Sequence, residues 1–129
     1  MDKSFDLFNT FVHLRDDGAL STIEVNDQFW QGLMTGARTD LNEGWLIAAF
    51  RMTENSPTWE MHPAGEEFLY LLSGAMDIVM QTEDGERTVQ LRTAQACIVP
   101  RATWHKQIVH EPSDLLGITF GKGTEHRAV

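Results

Sequence analysis

Glu60 and His62 stand two residues apart in Trp59-Glu60-Met61-His62, so on an extended strand both side chains leave the same face. A Pro63-Ala64-Gly65 turn follows, then Glu66 and Glu67, then the apolar run Phe68-Leu69-Tyr70-Leu71-Leu72, which ends at Ser73-Gly74. Another histidine closes Val99-Pro100-Arg101-Ala102-Thr103-Trp104-His105. Carboxylate oxygens and imidazole nitrogens converging from neighbouring strands make a divalent-metal site or an acid/base pocket. If these groups face an apolar interior they must be paired, protonated or metal-bound, because an isolated buried charge is very costly.

Strand alternation sorts the neighbours. Glu67, Leu69 and Leu71 share one face, with Phe68, Tyr70 and Leu72 opposite. His105, Gln107 and Val109 share a face opposite Lys106 and Ile108; the lysine marks that far face as the solvent side, which turns His105 inward. The same parity places Trp59 and Trp104 away from the Glu60/His62/His105 face. Arg51, Gln81 and Gln107 are the polar side chains that could add contacts to a pocket.

The elements that must position these groups are mostly strands. From Gly44 onward the pattern reads as Trp45–Met52, Thr58–His62, Glu67–Leu72, Ala75–Thr82, Arg87–Leu91, Ala96–Val99, Trp104–His110 and Leu115–Phe120. An Asp84-Gly85 hairpin signal joins the fourth and fifth. Short strands at this spacing predict a sandwich or small barrel, and about eight strands leave room for one small ligand. The first 40 residues differ. Asn26-Asp27 caps a short helix through Gln28–Met34 that ends near Gly36. Phe8–Leu14 reads as a helical turn and Ala19–Val25 as an edge strand.

The whole chain, residues 1–129, reads as one domain, with a barrel core at about 45–120 and an N-terminal extension at 1–44. An apolar content of 42% and a charged content of 22% are ordinary for a globular chain. The net charge of −9 argues against nucleic-acid partners and anionic membrane surfaces, both of which need a basic face. No apolar run approaches the roughly 20 residues of a membrane helix, and Met1-Asp2-Lys3-Ser4-Phe5-Asp6 does not read as a signal peptide. A single cysteine, Cys97, excludes an internal disulfide and fits a reducing, cytoplasmic setting. In Ala96-Cys97-Ile98-Val99 it reads as a small buried hydrophobe.

These residues resemble the cupin superfamily, small double-stranded β-helix barrels of the jelly-roll type. The first cupin motif is a Gly, five residues, His-x-His, three or four residues, a Glu, six residues and a Gly. His62, Glu67 and Gly74 match its second His, its Glu and its closing Gly. The second motif is a Gly, five residues, Pro-x-Gly, two residues, a His and, after three more, an Asn; Pro100 and His105 match. The likeness spans roughly Trp45 to Phe120. Glu60 stands where the first His belongs, Glu54, Ala94 and Ala102 stand at glycine positions, and Val109 replaces the Asn.

The resemblance implies an all-β cupin barrel with a short N-terminal helical segment. It also implies a metal site built from His62, Glu67 and His105, with Glu60 as fourth ligand, as catalytic base or as an unliganded acid. Such a mixed set suits Fe, Mn, Zn or Ni, and the two-His, one-carboxylate subset is that of non-haem iron oxygenases. The implied activity is that of a metal-dependent dioxygenase or isomerase acting on a small organic molecule. Without metal, Glu60 facing Glu67 would raise one carboxyl pKa and suit isomerisation or enolisation. The alternative is a non-catalytic module that binds a sugar or organic acid. Small cupins commonly pair as homodimers, and Phe5, Phe8, Phe11, Phe29 and Trp30 supply apolar side chains for that contact. The plainer readings are a strand-ending His62 bonded to a backbone carbonyl, a packed core His105 and a solvated Glu66. His13, His110 and His126 fall outside any motif and read as surface residues.

Overall fold

Short runs of β-branched and aromatic residues separated by turn residues form nine antiparallel strands in the computed structural model, which describes residues 3–129. They are β1 (Thr10–Leu14), β2 (Leu20–Glu24), β3 (Trp45–Met52), β4 (Thr58–Met61), β5 (Glu67–Thr82), β6 (Gly85–Arg92), β7 (Ala96–Val99), β8 (His105–Thr119) and β9 (Glu125–Ala128). One helix, α1 (Asp27–Thr35), and a 3-10 turn at Thr39–Asn42 lie between β2 and β3. The strand order is β2-β1-β3-β8-β4-β9, and β5 pairs with β6, β7 and β8.

Two strands are longer than their sequence pattern suggests. Each of the pairs expected at 67–72 with 75–82, and at 104–110 with 115–120, is a single bent strand. β5 and β8 stay paired from Glu67↔Thr119 to Met80↔His105, with register shifts between Leu71 and Met76. The bulges let one strand serve two parts of the sheet. Gly74 makes the bend possible: its φ is 108°, and a side chain there would meet Ser113 Cα at 2.7 Å.

Leu69, Leu71, Met76, Ile78, Leu91 and Leu115 fill the space between β5, β6 and β8 as the main core. A second cluster joins Phe11, Ile23, Phe29 and Ala48. The helix reads as expected. The Asn26 side chain accepts a hydrogen bond from the Phe29 backbone N–H at 2.9 Å, and Gly36 ends the helix at φ 76°. That lays Phe29 edge-on against Phe11, ring centres 5.5 Å apart.

The stretch expected as a helical turn before Leu14 is instead β1, which pairs with β2 and β3. Thr10-Phe11-Val12-His13-Leu14 buries Phe11 and His13 on alternate positions, a period-2 signal in a run too short to dominate a sequence reading. His13 is therefore no surface residue: it is 2% exposed, and its Nε2–H donates to the Glu43 carbonyl at 2.7 Å. The strand β9 was not expected. Its sequence Glu-His-Arg-Ala is exposed throughout and carries no apolar alternation to find.

Ala94 and Ala102 have φ of 68° and 60°, the only non-glycine residues in the left-handed region among those described. The turns thus keep the backbone that glycine favours, at a cost of roughly 1–2 kcal/mol each. Ala94→Gly and Ala102→Gly are each expected to raise unfolding stability. The gain, after the entropy that glycine adds to the unfolded chain, is about 0.5–1 kcal/mol. Urea titration measures it, and a lower midpoint in both variants would refute the strain.

Candidate metal centre

β4 lies between β8 and β9, so Glu60 sits beside His105 on one side and His126 on the other. His62 follows β4 directly, and its carbonyl accepts a hydrogen bond from the Ala102 N–H at 2.9 Å. That bond ties the Pro100–His105 turn to the Glu60–His62 segment. Glu67 opens β5 opposite Thr119 and Val99, and His105 opens β8. Four side chains from three chain segments therefore arrive at one end of the barrel.

Their donor atoms lie within 4.8 Å of one another. His62 Nε2 is 2.8 Å from Glu60 Oε1 and 3.3 Å from Glu67 Oε2, while His105 Nε2 is 3.0 Å from Glu67 Oε1. The two imidazole centres are 5.3 Å apart. His62, Glu67 and His105 are buried; the Glu60 side chain is 36% exposed and forms the outer edge. The structure thus brings together all four residues picked out from the sequence. Glu66, their neighbour, is exposed.

The remaining hydrogen bonds assign the ring protons. His105 Nδ1 lies 3.0 Å from the Thr103 carbonyl, which can only accept, so Nδ1 carries the hydrogen. His62 Nδ1 lies 2.8 Å from Thr124 Oγ1, whose own hydrogen goes to the Gly121 carbonyl at 2.8 Å; His62 Nδ1 therefore donates as well. Neutral imidazoles would thus turn both Nε2 lone pairs toward two carboxylates. Both Nε2 atoms are buried and lack an aligned hydrogen-bond partner. Outer bonds that orient imidazoles in this way are the usual support of metal ligands. Thr119 Oγ1 donates to Glu67 Oε2 at 2.5 Å, and His126 Nε2 lies 3.0 Å from Glu60 Oε2.

Two carboxylates with two neutral imidazoles carry a charge of −2, which a divalent ion cancels. Protons are the other way to balance it. Burial alone lowers the His62 pKa, but its contacts with Glu60 and Glu67 outweigh burial and push it up to about 10. His105 is raised in the same way, mainly by Glu67 against burial. Burial would raise Glu67, yet His105 and His62 hold it down to about 2. Glu60 is also lowered against its burial, by His126 and His62. No pair of mutually repelling carboxylates with one raised pKa arises, because the imidazoles stand between them.

Several sequence expectations fall elsewhere. Arg51 pairs with Asp114 at 3.0 Å, Gln81 bonds Arg127, and the Gln107 backbone N–H donates to Ser56 Oγ at 2.7 Å; none of their side chains joins the four donors. Trp59 and Trp104 lie on the opposite side of β4, as alternation predicts. Lys106 Nζ sits 4.5 Å over Trp59, and the Arg127 guanidinium 4.4 Å over Trp104. His110 is exposed and pairs with Asp77. His126 is exposed, as expected of a surface residue, but it also touches Glu60, a contact the sequence did not suggest. Thr124 and Thr119 carried no sequence signal, since a hydroxyl that orients a neighbouring imidazole or carboxylate follows no motif. Burial raises the Cys97 thiol to about 11, which fits a packing role.

No protein-family model matches the chain, and no curated protein matches it. Solved structures do. One is a hydroquinone 1,2-dioxygenase in complex with Cd2+ and 4-hydroxybenzonitrile, with TM-score 0.51 and 16% identity, over 58% of this chain and 56% of that one. A cupin-2 domain protein from Shewanella frigidimarina matches with TM-score 0.51 and 15% identity, over 58% of this chain and 69% of its own. The oxalate decarboxylase of Bacillus subtilis, described with Mn(II) centres, matches with TM-score 0.57 and 18% identity over 73% of this chain. The match spans 26% of the decarboxylase and little more than half of the dioxygenase. At these identities the likeness is one of fold.

The charge balance has a measurable consequence for the metal-free protein. His62 has a folded pKa of about 10, above its unfolded value of 6.5, so its ion pairs stabilise fully below pH 6.5 and are lost as pH rises through 10. Stability in chelator should fall between pH 7 and 10 by chemical denaturation, and His62→Asn should flatten that part of the curve. Equal slopes in both proteins would contradict the assigned contacts.

Proposed function

We propose that this chain, a protein of the cupin fold, holds one divalent transition metal through His62, Glu67, His105 and Glu60 and is a metal-dependent enzyme acting on a small organic molecule. The carrying observation is the pair of buried Nε2 atoms aimed at two carboxylates with no aligned partner of their own. Fe, Mn, Zn and Ni suit such a mixed nitrogen and oxygen set, and the Cd2+ and Mn(II) of the two similar structures agree in kind. Bound metal supplies a Lewis-acid or redox centre. His62, His105 and Glu67 hold it from the barrel side. Glu60, at the exposed edge, is either a fourth ligand or the base that takes a proton from substrate. Dioxygenase or isomerase chemistry is the reading we favour. The runner-up is a metal-free module binding a sugar or organic acid, which the proton-balanced state of the same four groups would support.

We read the chain as one domain and as cytoplasmic, the latter on its single free thiol. Among the described residues no helix is long and apolar enough to cross a membrane. We further propose a homodimer: of the N-terminal side chains expected to make it, Phe5, Phe8 and Trp30 remain exposed, and a second apolar row is available beside them. Phe11 and Phe29 are spent in the chain's own core. Opposite the Leu69/Leu71 face, pairing aligns Val12, Ile47, Ile118, Phe68 and Ile98 in one row across five strands. Phe68 is 37% and Ile98 58% exposed. The row contains no carboxylate, so two copies of a chain with net charge −9 would not set like charges directly opposite one another along it.

Elemental analysis of protein purified without an affinity tag is expected to show about one metal per chain, lost in His62→Ala. Metal content unchanged by that substitution would refute the site. Ligand-induced thermal protection in metal-free protein would favour the binding module instead. Sedimentation is expected to give a dimer for the native chain and a 14.6 kDa monomer for Ile98→Arg; a native monomer would remove the dimer.

A further inference from the structure

The segment 121–128 contributes no buried side chain to either core cluster, yet it touches two of the four donors. Alternation along it sends Thr124 and His126 to one face and Arg127 to the other. On the inner face Thr124 Oγ1 accepts from His62 Nδ1 at 2.8 Å, and His126 Nε2 lies 3.0 Å from Glu60 Oε2. On the outer face Arg127 bonds Gln81 and stacks over Trp104. The strand pairs only with β4, the strand that carries Glu60.

We propose that β9 and the turn before it are a positioning strap for the metal centre. In this role His126 is the residue that fixes Glu60 as a one-oxygen ligand. The inference rests on the reading that the four donors hold a metal. Glu60 has two oxygens with different tasks: Oε1 lies 2.8 Å from His62 Nε2, on the site side, and Oε2 is engaged by His126. Its side chain is 36% exposed, and His62 and His126 are the two side chains that contact its oxygens. Without His126 the carboxylate is free to turn toward water, and the site is left with His62, His105 and Glu67. With His126 in place, only one oxygen is presented to a metal. Thr124 acts in the same way on His62, by holding its ring so that Nε2 faces the site. Arg127 clamps the strap from the far side without touching a donor.

Co2+ binding tests this on the full-length, metal-stripped protein, with affinity taken from chelator competition and coordination from the visible bands. His126→Ala is expected to weaken Co2+ by about 10–100-fold and to shift the bands toward those of Glu60→Gln. His126→Gln, whose amide can still donate to Glu60 Oε2, should stay within about threefold of the native protein. The double variant Glu60→Gln/His126→Ala should be no weaker than Glu60→Gln alone, since both remove one coupled unit. Melting of the metal-free variants reports strand docking separately. The proposal is overturned if His126→Ala keeps native affinity and bands, if His126→Gln fails as badly as Ala, or if the double variant loses the full sum of both. A native protein that takes up no Co2+ overturns the metal reading and this proposal together. A native protein that binds Co2+ with an indifferent His126→Ala overturns the strap alone.

Discussion

Two imidazole nitrogens and two carboxylates meet in a space where all four cannot stay as neutral imidazole and bare carboxylate. The outer nitrogens of His62 and His105 are committed to Thr124 and Thr103, so the inner nitrogens have nothing of their own to offer Glu60 and Glu67. Positive charge has to enter the cluster, as protons or as a cation. Burial makes this demand sharp, because an unbalanced carboxylate at the Glu67 position would lose its hydration for the single hydroxyl hydrogen bond that Thr119 supplies. The choice between proton and metal is the choice between the two functional readings.

The rest of the fold serves that convergence. β5 and β8 run side by side over most of their length, and the bulges near Gly74 bend them together. Glu67 opens one and His105 opens the other, while β4 lies beside His105 and β9 beside β4. The core of Leu69, Leu71, Met76, Ile78, Leu91 and Leu115 fixes the distance between the strands and thereby between the donors. The N-terminal strands β1 and β2 extend the same sheet on its other flank, where α1 contributes Phe29 to the second apolar cluster.

Much of this was legible in the residue order. The inward set Glu67, Leu69, Leu71 and the inward His105 follow from strict alternation, and the four donors follow from spacing joined to a motif resemblance. Helix α1 was legible because its two ends are written in Asn26 and Gly36. What stayed hidden has physical reasons. A bulge lets a strand continue through a Ser-Gly pair that locally reads as a turn. β1 was too brief for its period to stand out. β9 is stabilised by pairing, by stacking of Arg127 and by contacts to the site, none of which leaves an apolar pattern; His126 and Thr124 were hidden with it. His13 looked like a surface residue because its partner is a backbone carbonyl thirty residues away.

Ala94 and Ala102 show that the two tight turns ask for a torsion angle, and that a methyl group can be forced to supply it. A signature spelled in glycines reads letters, whereas the chain obeys dihedrals. Two chains can therefore share the corners of such a fold while spelling them with different residues, and a likeness of this kind is found by shape before it is found by alphabet.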